Sequence, residues 1–205
     1  MGMGSRVYKT AETRNRRIAV TGGIGCGKTA VASILIKNHI PTLDADDVAR
    51  DVLIPSHPTG CRVLRAFGPE ILKTDGTFDR ARLAHLVFRS DANLKKLNQI
   101  MHPTILQICR KWMTTHRDRR SAVVLPLLHE LGLEGQWDTV LCVIASRDLV
   151  IKRLRDRGWT RAEALRRMRS QLSLREKAAR STHVIRNNGT LRELERSVQI
   201  ALGLR

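Results

Sequence analysis

The sequence predicts an α/β fold, a five-stranded parallel sheet flanked by helices. Three observations carry that prediction. Short β-type runs alternate with longer segments of helical spacing, the pattern of repeated βαβ units. Two of the runs, "SAVVLPLL" (121–128) and "TVLCVIA" (139–145), are almost unbroken in apolar residues, as strands covered on both faces require. The first run, "RIAVTGG" (17–23), ends in glycines immediately before a helical segment.

In chain order, residues 1–16 carry Arg6, Lys9, Arg14 and Arg16 with no hydrophobic signal core, and read as a basic N-terminal tail. A single domain, 17–205, follows. After the first strand, "KTAVASILIKNH" (28–39) brings Val31, Ile34, Leu35 and Asn38 onto one helical face. "IPTLDAD" (40–46) is a second strand, extended through Asp46, and the helix "DDVARDVLI" (46–54) is closed by Pro55. Between about 56 and 120 there is no convincing strand. The segment holds helical stretches such as "FDRARLAHLVF" (78–88) and "ANLKKLNQIM" (92–101), the latter interrupted by His102-Pro103, and reads as an inserted helical region. After the two apolar strands, an arginine-rich helical block spans about 147–180, with twelve Lys and Arg against four acids. The strand "HVIRN" (183–187), a turn at Asn188-Gly189 and the helix "TLRELERSVQIALGL" (190–204) complete the chain.

Composition limits the partners. With 42% hydrophobic and 27% charged residues in 205, the chain can bury one sizeable core. Thirty-seven Lys and Arg against 19 Asp and Glu give a formal charge of +18, which calls for an anionic partner. That charge alone would suit a nucleic-acid-binding ATPase. Aromatics at 3% leave few stacking platforms for single strands, and no nucleic-acid motif is present, so phosphate-rich small molecules are expected rather than a specific nucleic acid. No apolar run approaches the ~18 residues of a membrane span, so no membrane partner is expected. Cys26, Cys61, Cys109 and Cys142 form no C-x-x-C pair and have no His at metal-ligand spacing; a reducing, cytoplasmic setting is expected.

The sharpest chemical signal is "GGIGCGKT" (22–29), which fits G-x-x-x-x-G-K-[ST] between a strand and a helix. Glycines let successive N–H groups point at one phosphate, and the helix N-terminus adds its dipole. The nucleotide-binding candidates are therefore Gly22, Gly23, Gly25, Cys26, Gly27, Lys28, Thr29 and Ala30. Lys28 is placed to reach the β- and γ-phosphates, and the Thr29 hydroxyl takes a Mg²⁺ position, so ATP and Mg²⁺ are the expected cofactors. Cys26 reads as an inert spacer. A GTP-dependent switch would carry N-K-x-D, which is absent, and a motor ATPase would carry four apolar residues ending in Asp, which "TLDADD" and "LPLLHE" fit poorly. A small P-loop kinase, with an acceptor pocket and a cationic lid, fits better.

Arg153 and Arg157, four apart on one helix, are candidates to grip the transferring phosphate in bidentate fashion. Pro126 and Leu127 end the third strand, where a residue either packs the core or meets ligand beyond the strand's carboxyl end. Asn187 and Asn188 suit either a turn before the last helix or a loop passing the adenine.

With the phosphate loop, "LDADDVAR" (43–50), "MHPTI" (101–105) and "LPLL" (125–128) in hand, the chain resembles the dephospho-CoA kinase family. The order is that of the family's phosphate loop, D-A-D-x-x-x-R, inserted His-Pro, P-L-L strand end and late V-I-x-N-N-G, from about Arg17 to the C-terminus. The resemblance implies a P-loop core of five parallel strands, a helical domain for the CoA-like substrate and a lid. It implies MgATP-dependent phosphorylation of the ribose 3′-hydroxyl of dephospho-CoA, the last step of CoA synthesis. A nucleoside or nucleoside-monophosphate kinase is the alternative reading. By the same resemblance Asp46 accepts the hydroxyl's proton and His102 touches substrate; Asp44 then orders Mg²⁺-bound water or the loop itself, and Arg50, four after Asp46, is the neighbouring cation or a substrate contact. Arg167, four before Gln171, matches the family's R-x-x-x-Q and ranks with Arg153 among the lid candidates. There are departures: Ala30 stands where a second hydroxyl residue is common, His129 replaces an aromatic after P-L-L, and His183 and Arg186 replace acids around Val184-Ile185.

Overall fold

The structure, a computed structural model, describes residues 17–204; the basic tail (1–16) lies outside the described residues. In chain order the elements are β1 (Arg17–Gly22), α1 (Lys28–Lys37), β2 (Thr42–Asp44), α2 (Ala45–Val52), α3 (Pro58–Phe67), α4 (Arg80–Phe88), α5 (Asp91–Thr115), β3 (Ser121–Val124), β4 (Thr139–Ile144), α6 (Arg147–Arg155), α7 (Arg161–Arg169), α8 (Leu174–Ala179), β5 (His183–Arg186) and α9 (Leu191–Leu202). Residues up to Leu43 together with those from Thr115 onward form one compact unit, and Asp44–Thr114 form a second. The helical unit thus takes in α2, upstream of the residue-56 start read from the sequence.

The first unit is a five-stranded parallel sheet in the order β2-β3-β1-β4-β5, so the chain leaves β1 for one edge and returns past it to the other. Ile18 pairs with Ala122 on one side and with Thr139 on the other, which places β1 in the middle. Its residues Ile18, Ala19 and Val20 are fully buried, and Ile18 and Val20 join Leu35, Leu141, Leu154, Ile185, Leu194 and Leu202 in one apolar cluster. Each large side chain there contributes about 1.5–3 kcal/mol relative to exposure. This two-sided burial is why the central strands read as continuous apolar runs.

Local chemistry sets the helix starts in the arginine-rich block. Thr160 with Glu163, and Ser173 with Glu176, form reciprocal capping boxes that open α7 and α8; Thr190 with Glu193 does the same for α9. Each such cap is worth about 1 kcal/mol.

Two expectations about backbone are corrected. The second strand ends at Asp44 instead of running extended through Asp46, because the Asp44 carboxylate accepts the Asp46 N–H at 2.9 Å and caps a helix that starts at Ala45. The third strand closes at Val124, two residues before Pro126; Leu125 still donates to Val20 O at 2.8 Å, but Pro126 has no N–H with which to extend the ladder.

In the second unit, α5 runs unbroken through Pro103, where the sequence suggested an interruption. An interior proline costs about 3 kcal/mol. Packing on both sides opposes that cost: Met101, Ile105 and Cys109 are buried at four-residue spacing. Across from them, buried Thr59 bonds Thr104 Oγ1 to Oγ1 at 3.0 Å, and Arg62 Nη2 donates to Thr104 Oγ1 (3.2 Å) and to Ile100 O (3.4 Å).

Candidate active site

Strand β1 delivers the chain to the phosphate loop through two positions that only glycine can hold. Gly22 has φ 138°, and a Cβ there would fall 2.1 Å from Val143 O on the neighbouring strand. Gly27, the residue before α1, has φ 101°, and a Cβ there would fall 2.0 Å from Asn187 Nδ2. Helix α1 starts at Lys28 with no acid in its first turn, so the positive end of its dipole is unopposed locally. The Lys28 ammonium reaches back over the loop and donates to Gly22 O (3.2 Å) and Gly23 O (3.0 Å). Thr29 is exposed at the second position of the helix, and Ala30 is half-buried. Cys26 is buried, and that burial pushes its thiol pKa up; the Ala145 backbone and the cations Lys28 and Arg153 pull only partly the other way. A buried thiol with a raised pKa is a poor nucleophile.

Three elements close on the loop from outside. From the end of β5, Asn187 is 6% exposed and donates Nδ2 to Cys26 O at 2.8 Å, so it braces the phosphate loop, a contact that neither reading of the Asn pair named. Its neighbour Asn188 accepts the Ser146 N–H at 2.8 Å through Oδ1. From α6, Arg153 donates Nη2 to Asn187 O (3.1 Å) and holds Nη1 3.5 Å from both Gly25 O and Cys26 O. From the turn before α8, Gln171 Oε1 accepts the Ile24 N–H at 3.2 Å, and the Leu174 side chain lies against Gly23. Arg157 is exposed. Arg167 stacks on Trp159, its guanidinium carbon 4.1 Å from the ring centroid, and burial lowers its pKa.

Sequence reasoning missed Gln171, Leu174, Glu130 and Lys177. Gln171 has a signal in R-x-x-x-Q, the same match that marks Arg167. Lys177 had none, since a lysine among twelve cations reads as solvated; here it is fully buried.

Beyond β3, Pro126 and Leu127 are half-buried, and Pro126 O accepts from Lys177 Nζ at 2.7 Å and from Thr21 Oγ1 at 3.5 Å. His129, which stands in place of an aromatic, is 2% exposed. Ser181 Oγ donates to Lys177 O at 2.7 Å, so at 2.9 Å it accepts from His129 Nε2, and the ring carries its proton there. The other nitrogen, Nδ1, is left as acceptor 3.7 Å from Glu134 Oε2, while Glu134 pairs with Arg180. Burial lowers the His129 pKa from 6.5; Glu134 opposes that shift, and Arg180 and Lys177 add to it. The unfolded chain therefore takes up this proton first, and the stability tied to neutral His129 is present above about pH 6.5 and lost as pH falls below it. His129→Phe should show a smaller fall in melting temperature between pH 7.5 and 5.5 than the wild type, and equal falls would remove His129 as the source.

In the second unit, Asp44 is half-buried at the α2 cap, and Asp46 and Asp47 are exposed in the first helical turn. Arg50 pairs with Asp47, three residues away, and not with Asp46 as the four-residue spacing suggested; on a helix both spacings are neighbours, and here the shorter one is used. Arg80 Nη2 donates to Arg50 O at 3.3 Å. Asp44 also lies within electrostatic reach of α5: burial first, and then its charge, push the Cys109 thiol up to about 11. His102 is half-buried on the same helix, and burial lowers its pKa.

Comparison with known proteins agrees with this arrangement. The family model described as dephospho-CoA kinase matches residues 16–193. A dephospho-CoA kinase of Geobacillus kaustophilus is 39% identical over 185 residues, 88% of this chain and 92% of its own. One from Corynebacterium glutamicum is 40% identical over 184 residues, 87% of this chain and 91% of its own. Among solved structures, a Thermus thermophilus protein superposes with a TM-score of 0.78 at 33% identity, covering 92% of this chain and 97% of that one. A dephospho-CoA kinase of Campylobacter jejuni, at 23% identity and a TM-score of 0.66, shares the fold over 92% of this chain and 98% of its own. A phosphate loop braced from three sides, and a family match that takes in both compact units, lead to one conclusion: this chain belongs to the dephospho-CoA kinase family.

Proposed function

We propose that the chain transfers the γ-phosphoryl group of ATP to the ribose 3′-hydroxyl of dephospho-CoA, giving CoA and ADP, the last step of CoA biosynthesis. The observation that carries this reading is the phosphate loop with the Lys28 ammonium held over it, in a chain of this family. The loop N–H groups and the α1 dipole cradle the phosphates. Lys28 exchanges the carbonyls of Gly22 and Gly23 for β- and γ-phosphate oxygens, while Arg153, anchored through Asn187, supplies a second cation. Thr29 fits a Mg²⁺ ion, since its side chain is exposed in the first turn of α1; the ion would neutralise phosphate charge there. In the transfer, the hydroxyl O–H bond breaks with its proton going to the Asp46 carboxylate. The new O–P bond forms as the bond to the β-phosphate oxygen breaks, and ADP leaves. Asp44 acts as the cap that fixes this turn. Arg50, His102, Pro126 and Leu127 are the acceptor's contacts. The partners are small molecules; among the described residues no helix is long and apolar enough to cross a membrane. Four free cysteines suit a reducing compartment, and the cytoplasm is the proposed site of action.

The test is a coupled ADP-release assay with MgATP, offering dephospho-CoA, nucleosides and nucleoside monophosphates in turn. Turnover with dephospho-CoA is expected, and turnover with a monophosphate alone would overturn the reading.

The lid assignment has its own test. Arg153→Ala and Arg167→Ala should each lower kcat more than Arg161→Ala or Arg175→Ala, whose side chains are exposed. Loss of an aligned phosphate donor is expected to cost ~100-fold. If all four variants behave alike, the lid is not where these two arginines act.

A further inference from the structure

Lys177 is the one charged residue among the fully buried side chains of the described chain, at 0% exposure. Burying an ammonium is costly, and an apolar side chain of the same volume serves stability equally well or better, so its presence asks for another reason. The contacts supply one. Lys177 Nζ, on α8, donates to Pro126 O at 2.7 Å and pairs with Glu130 Oε1 at 2.8 Å. The same Glu130 oxygen accepts the Leu172 N–H at 3.0 Å. Leu172 lies between two residues that touch the phosphate loop: Gln171, which accepts the Ile24 N–H at 3.2 Å, and the Leu174 side chain lying against Gly23. Pro126 O also takes the Thr21 hydroxyl at 3.5 Å, one residue before the loop begins. One buried charge thus fastens the strand end at Pro126, the turn at Glu130 and the 171–174 segment to each other, and through them sets the outer wall of the phosphate loop.

We propose that Lys177, with Glu130, is a positioning residue for the nucleotide: the buried pair fixes the 171–174 segment, and through Gln171, which takes the Ile24 N–H, it fixes the loop backbone whose other N–H groups receive the phosphates. This rests on reading the loop as the ATP site. The pair acts on the phosphates through the 171–174 segment; its bond to Pro126 O also reaches a residue assigned to the acceptor, and Gln171→Ala separates the two effects. Small displacements of a phosphate cradle are expensive: a shift near 1 Å can cost ~100-fold in rate.

The experiment compares Lys177→Met, Lys177→Arg, the double variant Lys177→Met/Glu130→Gln, and Gln171→Ala. Each is assayed for thermal melting, for affinity toward a fluorescent ATP analogue, and for kcat and KM with dephospho-CoA. Lys177→Met and the double variant should weaken analogue binding and lower kcat by ~10-fold or more. Lys177→Arg keeps the charge and two donors and should recover most of both. Gln171→Ala cuts the last link and leaves the buried pair and its bond to Pro126 in place, so it should show the same ATP-side loss with KM for dephospho-CoA within about 3-fold of wild type and a melting temperature close to it. A lower melting temperature with unchanged analogue affinity and kcat would make the pair purely structural and overturn the proposal, as would wild-type analogue affinity in Gln171→Ala. The analogue titration needs no acceptor. If the wild type fails to phosphorylate dephospho-CoA, the functional reading fails, and the binding data still decide the role of Lys177.

Discussion

Lys28→Ala is expected to lower turnover by about 100- to 1000-fold, the scale on which removal of one preorganised charge-stabilising donor is felt. The fold should survive. Lys28 opens α1, where alanine is the most favourable helix former, and the ammonium bonds to the loop carbonyls of Gly22 and Gly23. What is lost is the one side chain of the loop that can follow negative charge as it moves from the γ-phosphoryl group to ADP. The measurement is kcat in the ADP-release assay together with a thermal melt. A variant that melts like the wild type and turns over at a near-normal rate would remove the phosphate loop from the mechanism.

What could be read from sequence follows a physical divide. Features set by local chemistry or by uniform burial were legible. The continuous apolar runs around Ile18–Val20 and Val140–Val143 match strands covered on both faces, and the Gly27-Lys28 step carries a backbone requirement that few other sequences meet. Features set by distant contacts were not. Asn187 suits a turn or a loop passing the adenine, and its bond to Cys26 O, a brace on the phosphate loop, has no signal in the sequence. Pro103 reads as a helix boundary until Thr59 and Arg62, some forty residues earlier, are seen holding the helix beside it. Lys177 was hidden for a statistical reason: in a chain of formal charge +18, another lysine in a basic block carries no signal that it is buried.

The acidic turn shows the same divide and leads to the second large effect. Reading "LDAD" as extended put Asp44 and Asp46 on one side by the two-residue period. The structure gives them different surroundings. Asp44 Oδ1 accepts the Asp46 N–H and holds the helix start, while Asp46 is exposed in the first turn and Asp47 is paired with Arg50. A proton acceptor has to be accessible to its substrate, and the proposed base, Asp46, is the exposed carboxylate with neither the cap of Asp44 nor the ion pair of Asp47. Asp46→Asn should therefore preserve ATP binding and fold, since the loss of one acid from a helix's first turn costs less than about 1 kcal/mol, yet cut turnover at least ~100-fold. Asp44→Asn should be far milder, because asparagine caps a helix about as well as aspartate and keeps the acceptor oxygen that the Asp46 N–H needs. Asp47→Asn should cost little beyond its exposed pair with Arg50, a contact of the kind worth ~1 kcal/mol or less. The three variants are to be compared by kcat with dephospho-CoA and by ATP affinity measured without acceptor. An active Asp46→Asn beside a dead Asp44→Asn would exchange the two roles, and would mean that the cap, not the exposed carboxylate, takes the proton.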